Sequence, residues 1–167
     1  DGDADSASAN TITVNVTAAN NNAPVAANDT NTINIQNNTT LTVTNNSVKD
    51  ILTNDIDSDS GDSKTVTGIR TGATEGSGTA GTIGNELTGT YGTLTINADG
   101  SYTYVVNDGL KDTLDPGEIV YEYFNYTVSD GTATDTGSIV IKLQNGGAKV
   151  KELRPNKGEK IIRKEVK

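Results

Sequence analysis

Residues 92–106, "GTLTINADGSYTYVV", give the clearest indication of the fold of this chain. Apolar and polar residues alternate on both sides of the turn-forming letters NADG at 97–100. Alternation at period two predicts a half-buried strand, because successive side chains of a strand point to opposite faces. Two such strands joined by Asn, Asp and Gly predict a β-hairpin. The sequence is therefore expected to form antiparallel β-structure.

The same alternation recurs along the chain. No stretch keeps a 3.6-residue apolar period, and "SVKDILTND" at 47–55 offers at most one helical turn. Short strands around a Gly- and Thr-rich loop at about 71–91 predict an all-β Greek-key sandwich of the immunoglobulin or cadherin type. The further predicted strands are 11–17, 32–35, 40–44, 64–69, 121–128 and 138–143.

Composition excludes most catalytic chemistry. The 167 residues include no Cys, His, Met or Trp, so the side chains used by zinc, thiol, haem and Ser-His sites are missing. We therefore expect no enzyme. Hydrophobic residues make up 32% of the chain and only one is Phe, which suits one β domain with a core of Val, Ile, Leu and Tyr.

Charge is distributed unevenly. The net charge of −9 argues against binding of nucleic acid, and no apolar run is long enough to predict insertion into a membrane. Residues 1–147 carry 19 acidic and five basic groups, whereas residues 148–167 carry three acidic and eight basic groups. The tail is interpreted as the start of a following unit, a basic arm or a remnant of recombinant expression.

An internal repeat suggests the domain boundaries. "DGDADSASANTITVNV" from position 1 and "DGTATDTGSIVIKL" from position 130 share an Asp-Gly opening and a closing alternating strand. Residues 1–19 are therefore interpreted as the last strand of a preceding repeat, and 20–30 as a linker. The complete sandwich is predicted over 31–144, followed by the tail at 145–167. The expected partners are neighbouring repeats, or other copies of the chain through strand pairing.

Three segments together resemble a known family. "NDIDSDSGDSKTVTGI", "GTYGTLTINADGSYTYVVNDG" and "YEYFNYTVSDGTATDTGSIVIKL" are similar to the VCBS-type repeat, a cadherin-like domain of very long secreted bacterial proteins, many of them RTX-type adhesins. The resemblance covers about residues 24–144. It implies a calcium-binding β-sandwich that serves as an extracellular spacer or adhesive module at the bacterial surface.

The stretch "NDIDSDSGD" at 54–62 is the main candidate for binding Ca²⁺. It places Asp55, Asp57, Asp59 and Asp62 within eight positions, without Lys or Arg among them. Carboxylates this close repel one another, and a divalent cation with oxygen ligands removes that repulsion. Calcium is favoured over magnesium because it accepts more oxygens in less regular geometry. The alternative is a solvated acidic turn without a metal.

Two further aspartates are candidate ligands. Asp29 ends the linker "AANNNAPVAAND" (18–29), in which Asn20, Asn22 and Pro24 fit a cadherin linker pattern. Asp130 belongs to the Asp-Gly pair that follows strand 121–128. Each could equally be an ordinary turn residue.

The tyrosines are expected mainly to pack in the core and across strands, with stacking on surface glycans as the alternative. They are Tyr102, Tyr104, Tyr121, Tyr123 and Tyr126. The resulting hypothesis is a non-enzymatic extracellular spacer stiffened by calcium. A filament subunit assembled by strand donation and a calcium-dependent carbohydrate-binding module are the alternatives.

Overall fold

A computed structural model describes residues 22–59 and 61–147. Within them, two β-sheets hold nearly all of the regular structure. The strands are β1 (Asp29–Asn34), β2 (Thr40–Val43), β3 (Thr65–Thr71), β4 (Ala80–Gly81), β5 (Glu86–Thr88), β6 (Gly92–Ile96), β7 (Tyr102–Val106), β8 (Ile119–Ser129) and β9 (Thr134–Gln144), and the helix is α1 (Leu110–Thr113).

The strand order defines a β-sandwich. One sheet has the order β1-β9-β8-β3-β4 and the other β2-β7-β6-β5. Strand β8 pairs antiparallel with β9 from end to end, and β1 lies parallel to β9 on its other side. The predicted hairpin is confirmed as β6–β7, and Gly100 supplies the positive φ of 87° that its turn requires. The all-β sandwich expected from the alternating pattern is confirmed.

The core lies between the sheets. It consists of Val, Ile and Leu side chains together with Tyr102, Tyr104, Phe124 and Tyr126, each at most 1% exposed. Tyr104 and Phe124 come from opposite sheets and meet edge to face, with ring centroids 6.2 Å apart. Three of the five tyrosines considered above thus supply core volume. Tyr121 and Tyr123 are instead 46% and 38% exposed.

Four elements differ from the expectation, namely β1, β4, β5 and α1. Strands β4 and β5 lie within the predicted loop 71–91, and they are too short, at two and three residues, to produce a readable period. Residues 47–55 form turns rather than a helical turn, and the helix lies at 110–113 instead. Strand β1 begins at Asp29, two residues before the predicted start of the sandwich.

The predicted strand 11–17 and most of the basic tail lie outside the described residues. In the part of the chain that the structure covers, no helix is long and apolar enough to cross a membrane.

Candidate metal centre

The acidic loop at 54–62, which precedes β3, is hydrogen-bonded to the linker at 20–30. Val25 donates its backbone N–H to the carbonyl oxygen of Ile56 at 2.7 Å, and Ile56 donates to Val25 at 3.0 Å. This isolated antiparallel bridge joins residue 25 to the middle of the 54–62 stretch. Sequence periodicity cannot reveal a pairing of one residue with one residue.

Three of the predicted ligands come together. One carboxylate oxygen each from Asp57, Asp59 and Asp62 lies within 4.8 Å of the other two. Calcium binds oxygens at about 2.3–2.6 Å, so two ligands on opposite sides of the ion are roughly 5 Å apart. The spread of these three oxygens is therefore compatible with shared coordination of one calcium ion.

Two of these carboxylates have oxygens that lack a hydrogen-bond donor. The Oδ2 atoms of Asp57 and Asp62 are inaccessible to solvent and receive no hydrogen bond from the described residues. Burial raises the pKa of Asp62, and repulsion from Asp57, Asp59 and Asp130 raises it further. A buried acceptor without a donor destabilises the fold unless a cation or a proton satisfies it. These carboxylates therefore fit a hard cation such as Ca²⁺.

Hydrogen bonds organise the cluster from the linker side. Asn22 donates its backbone N–H to Asp59 Oδ2 at 3.0 Å and its side-chain Nδ2 to Asp59 Oδ1 at 2.9 Å. Asp59 in turn donates its N–H to Asp57 Oδ1 at 2.9 Å. Asn22 fitted the linker pattern in the sequence, but nothing in that pattern identified Asp59 as its partner.

Asp130 stands next to the cluster, in the turn between β8 and β9. Its Oδ1 accepts the backbone N–H groups of Thr132 at 2.6 Å and Ala133 at 2.7 Å, which fixes the carboxylate in an Asx-type turn. Its charge contributes to the raised pKa of Asp62. The structure thus brings the turn after β8 close to the loop before β3.

Asp29 and Asp55 form a separate, buried pair, with side chains 8% and 3% exposed. Asp55 Oδ1 accepts the N–H of Ala27 at 2.7 Å and the hydroxyl of Tyr126 at 2.8 Å, and Asp29 Oδ1 accepts Nδ2 of Asn54 at 3.2 Å. Neither residue belongs to the group of Asp57, Asp59 and Asp62. Coordination of a metal by Asp29 and Asp55 stays a prediction.

The buried pair carries unusual electrostatics. Burial raises the pKa of Asp29 to about 8, with repulsion from Asp55 as the second cause. Burial also raises the pKa of Asp55, against the hydrogen bonds from Ala27 and Tyr126. At neutral pH Asp29 is therefore mostly protonated, which lowers the repulsion within the pair. Asp55 and Asp57, two residues apart in the sequence, therefore lie in different environments. Asp55 is buried beside Asp29, whereas Asp57 belongs to the acidic cluster.

Comparison with known proteins gives two findings. Residues 21–145 match the bacterial cadherin-like domain family. Over 74 residues the chain is 38% identical to the calcium-binding lectin RapA2 of Rhizobium johnstonii (strain DSM 114642 / LMG 32736 / 3841). That alignment covers 44% of this chain and 31% of the lectin, so it compares parts of the two proteins.

The family match spans both sheets, the acidic loop and the turn that carries Asp130. Its limits enclose every strand among the residues that the structure describes. The cadherin-like resemblance inferred from the sequence is thereby confirmed at the level of the family. The chain belongs to the bacterial cadherin-like domain family.

Proposed function

We propose that this protein is a non-enzymatic adhesive or structural module stabilised by calcium. Asp57, Asp59 and Asp62 would hold the ion, with Asp130 completing the negative site from the neighbouring turn. The bound cation would neutralise carboxylates that otherwise repel one another. The similar lectin from Rhizobium johnstonii is named as a calcium-binding protein, which supports this proposal.

The observation that carries the proposal is the contact between linker and acidic loop. Both amide groups of Asn22 bind the carboxylate of Asp59, one of the three clustered aspartates. An ion that fixes Asp59 therefore also restrains residue 22, where the chain enters the sandwich. Restraint at this point would stiffen the joint to a preceding unit, as expected of a spacer.

Calorimetric titration with CaCl₂ tests the proposal. We expect binding with a dissociation constant of about 10⁻⁴–10⁻³ M, as in other extracellular calcium modules. The double substitution Asp57→Asn and Asp62→Asn should remove most of the binding heat. Asp108→Asn is the matched control, because Asp108 is an exposed aspartate outside the cluster. Unchanged binding by the double variant would contradict the assignment.

The setting of the module is a further part of the proposal. The resemblance to VCBS-type repeats favours a tandem array in a secreted, RTX-type surface protein of bacteria. Strand donation by residues 11–17 to another copy stays a prediction, because that segment lies outside the described residues.

Carbohydrate binding is the second candidate function. The similar protein from Rhizobium johnstonii is named as a lectin. Tyr121 and Tyr123 are exposed side by side, with ring centroids 6.4 Å apart. Exposed aromatic rings are suited to packing against the apolar faces of sugars, because they combine a flat apolar surface with a polar hydroxyl.

A further inference from the structure

A groove of about 390 Å³ lies where β8 extends beyond the end of its neighbour β3. Tyr121, Glu122 and Tyr123 line it from β8. The other lining residues are threonines and small residues from the ends of β3 and β5 and from the loops that follow these two strands. Its size lies in the range of pockets that bind small molecules. The threonines are Thr71, Thr79, Thr88 and Thr90.

The backbone of β8 is unpaired along part of the groove. Pairing between β3 and β8 ends at Phe124, after which Gly72 donates its N–H to the carbonyl oxygen of Tyr123 at 2.8 Å. Backbone groups two residues apart in a strand point to the same side, so those of Tyr121 also face this edge. Among the described residues, no backbone hydrogen bond reaches Tyr121 from that side.

A buried carboxylate provides an acceptor inside the groove. Glu122 is 4% exposed, and its Oε2 accepts the N–H of Tyr91 at 2.6 Å and the hydroxyl of Tyr104 at 3.3 Å. Its Oε1 receives no hydrogen bond from the residues that the structure describes. Thr71 Oγ1 accepts the N–H of Thr79 at 3.0 Å, which leaves its own hydroxyl hydrogen able to donate.

These groups suit a ligand with many hydroxyls and little charge. Glu122 is the one ionisable side chain of the lining besides the tyrosines, so the groove disfavours anions. A peptide strand would need several consecutive free backbone groups, whereas the 72–79 segment already closes this edge at Tyr123. Isolated donors and acceptors beside exposed rings match a sugar better than a strand.

We propose that the groove between Tyr121, Tyr123 and the surrounding threonines binds a neutral oligosaccharide. The proposal rests on the second candidate function and assigns it a location. Seven residues of extended chain separate Tyr123 from Asp130, about 23 Å along β8. The sugar therefore binds far from the acidic cluster, without contact to calcium.

Affinity electrophoresis in native gels tests this proposal. The gels contain laminarin, dextran, galactan or mannan as neutral probes and polygalacturonate as the acidic probe. At least one neutral polysaccharide should retard the chain, and the retardation should persist in EGTA. Tyr121→Ala with Tyr123→Ala should weaken the apparent affinity at least about tenfold. Tyr121→Phe with Tyr123→Phe, which keeps both rings, should retain most of it.

The possible outcomes distinguish a wrong location for the binding site from an absence of carbohydrate binding. If no probe retards the native chain, carbohydrate binding and the groove assignment both fail. Retardation that survives the double alanine variant would keep carbohydrate binding but overturn the groove. The proposal would also be overturned if polygalacturonate were the only probe that retarded the chain. It would be overturned as well if EGTA abolished retardation by the neutral polysaccharides while the circular dichroism spectrum stayed unchanged. Melting curves show whether the double alanine variant is folded. A large shift of its melting temperature is not expected, because both replaced rings are partly exposed.

Discussion

The hydroxyl of Tyr126 donates a 2.8 Å hydrogen bond to Oδ1 of Asp55. Tyr126 is a fully buried residue of β8, and Asp55 belongs to the acidic stretch before β3. This bond anchors one end of the acidic stretch in the core. The next carboxylates of the same stretch lie at the proposed metal site, and they belong to Asp57, Asp59 and Asp62.

Tyr126→Phe should lower the free energy of unfolding by about 1–2 kcal/mol, because a buried carboxylate loses a donor while the ring is kept. Urea denaturation measures the change. Tyr123→Phe, at an exposed ring, is the matched control and should change stability by less than about 0.5 kcal/mol. Equal effects of the two substitutions would show that the Asp55 hydrogen bond contributes nothing.

Calcium should raise the melting temperature, since a ligand that binds only the folded state stabilises it. At a tenfold excess over the dissociation constant, one site adds about 1.4 kcal/mol. Asp57→Asn with Asp62→Asn should remove most of this response. In EGTA the double variant should melt at the same temperature or higher, because it has lost carboxylate repulsion. A variant that melts far lower in EGTA would indicate a structural role for these side chains instead.

Stability in EGTA should decrease as the pH rises. Asp29 has a pKa of about 8 in the folded protein and 3.8 in its ordinary state, so folding favours its protonated form. That contribution is complete below about pH 4 and is lost as the pH rises toward 8. Asp29→Asn replaces the protonated acid by a neutral side chain of similar shape and should flatten the dependence. Urea midpoints at pH 5, 6, 7 and 8 measure it, and parallel curves for the two proteins would refute the assignment.

Asn125→Ala should release the loop at 72–77. The buried side chain of Asn125 accepts the N–H of Gly76 at 3.1 Å, and its Nδ2 lies 3.3 Å from the carbonyl oxygens of Gly72 and Thr74. Losing these contacts should cost about 1–3 kcal/mol. It should also speed cleavage by a glutamate-specific protease at Glu75, which mass spectrometry detects. Asn37→Ala, at an exposed turn residue, is the control; equal cleavage rates would contradict this role.

Deletion of residues 1–19 should leave the melting temperature of the sandwich nearly unchanged. Strand β9 already has β1 on one side and β8 on the other, so neither of its edges is open to another strand. Any self-association through a donated strand should disappear, as measured by sedimentation velocity. Unfolding of the shortened chain would mean that residues 11–17 complete its own sheet.

Much of the fold follows from the sequence alone. The alternation in 92–106, 121–128 and 138–143 predicts the strands correctly, because a half-buried strand imposes a period of two on its residues. The hairpin turn at 97–100 is likewise local, since it depends on neighbouring Asn, Asp and Gly. The three-residue core of the acidic cluster could be located from spacing, because Asp57, Asp59 and Asp62 are close in the chain.

The distribution of the polar side chains between core and surface depends on tertiary contacts. Asp55 and Asp57 have the same chemistry and nearly the same position in the sequence. The packing of Tyr126 and the N–H of Ala27 bury Asp55 beside Asp29, whereas Asp57 joins the acidic cluster. Likewise, the period of two puts Tyr126 on the opposite face of β8 from Tyr121 and Tyr123, but only the place of β8 in its sheet decides which of the two faces is buried. Burial depends on contacts between residues that are far apart in the chain, and local sequence patterns do not record them.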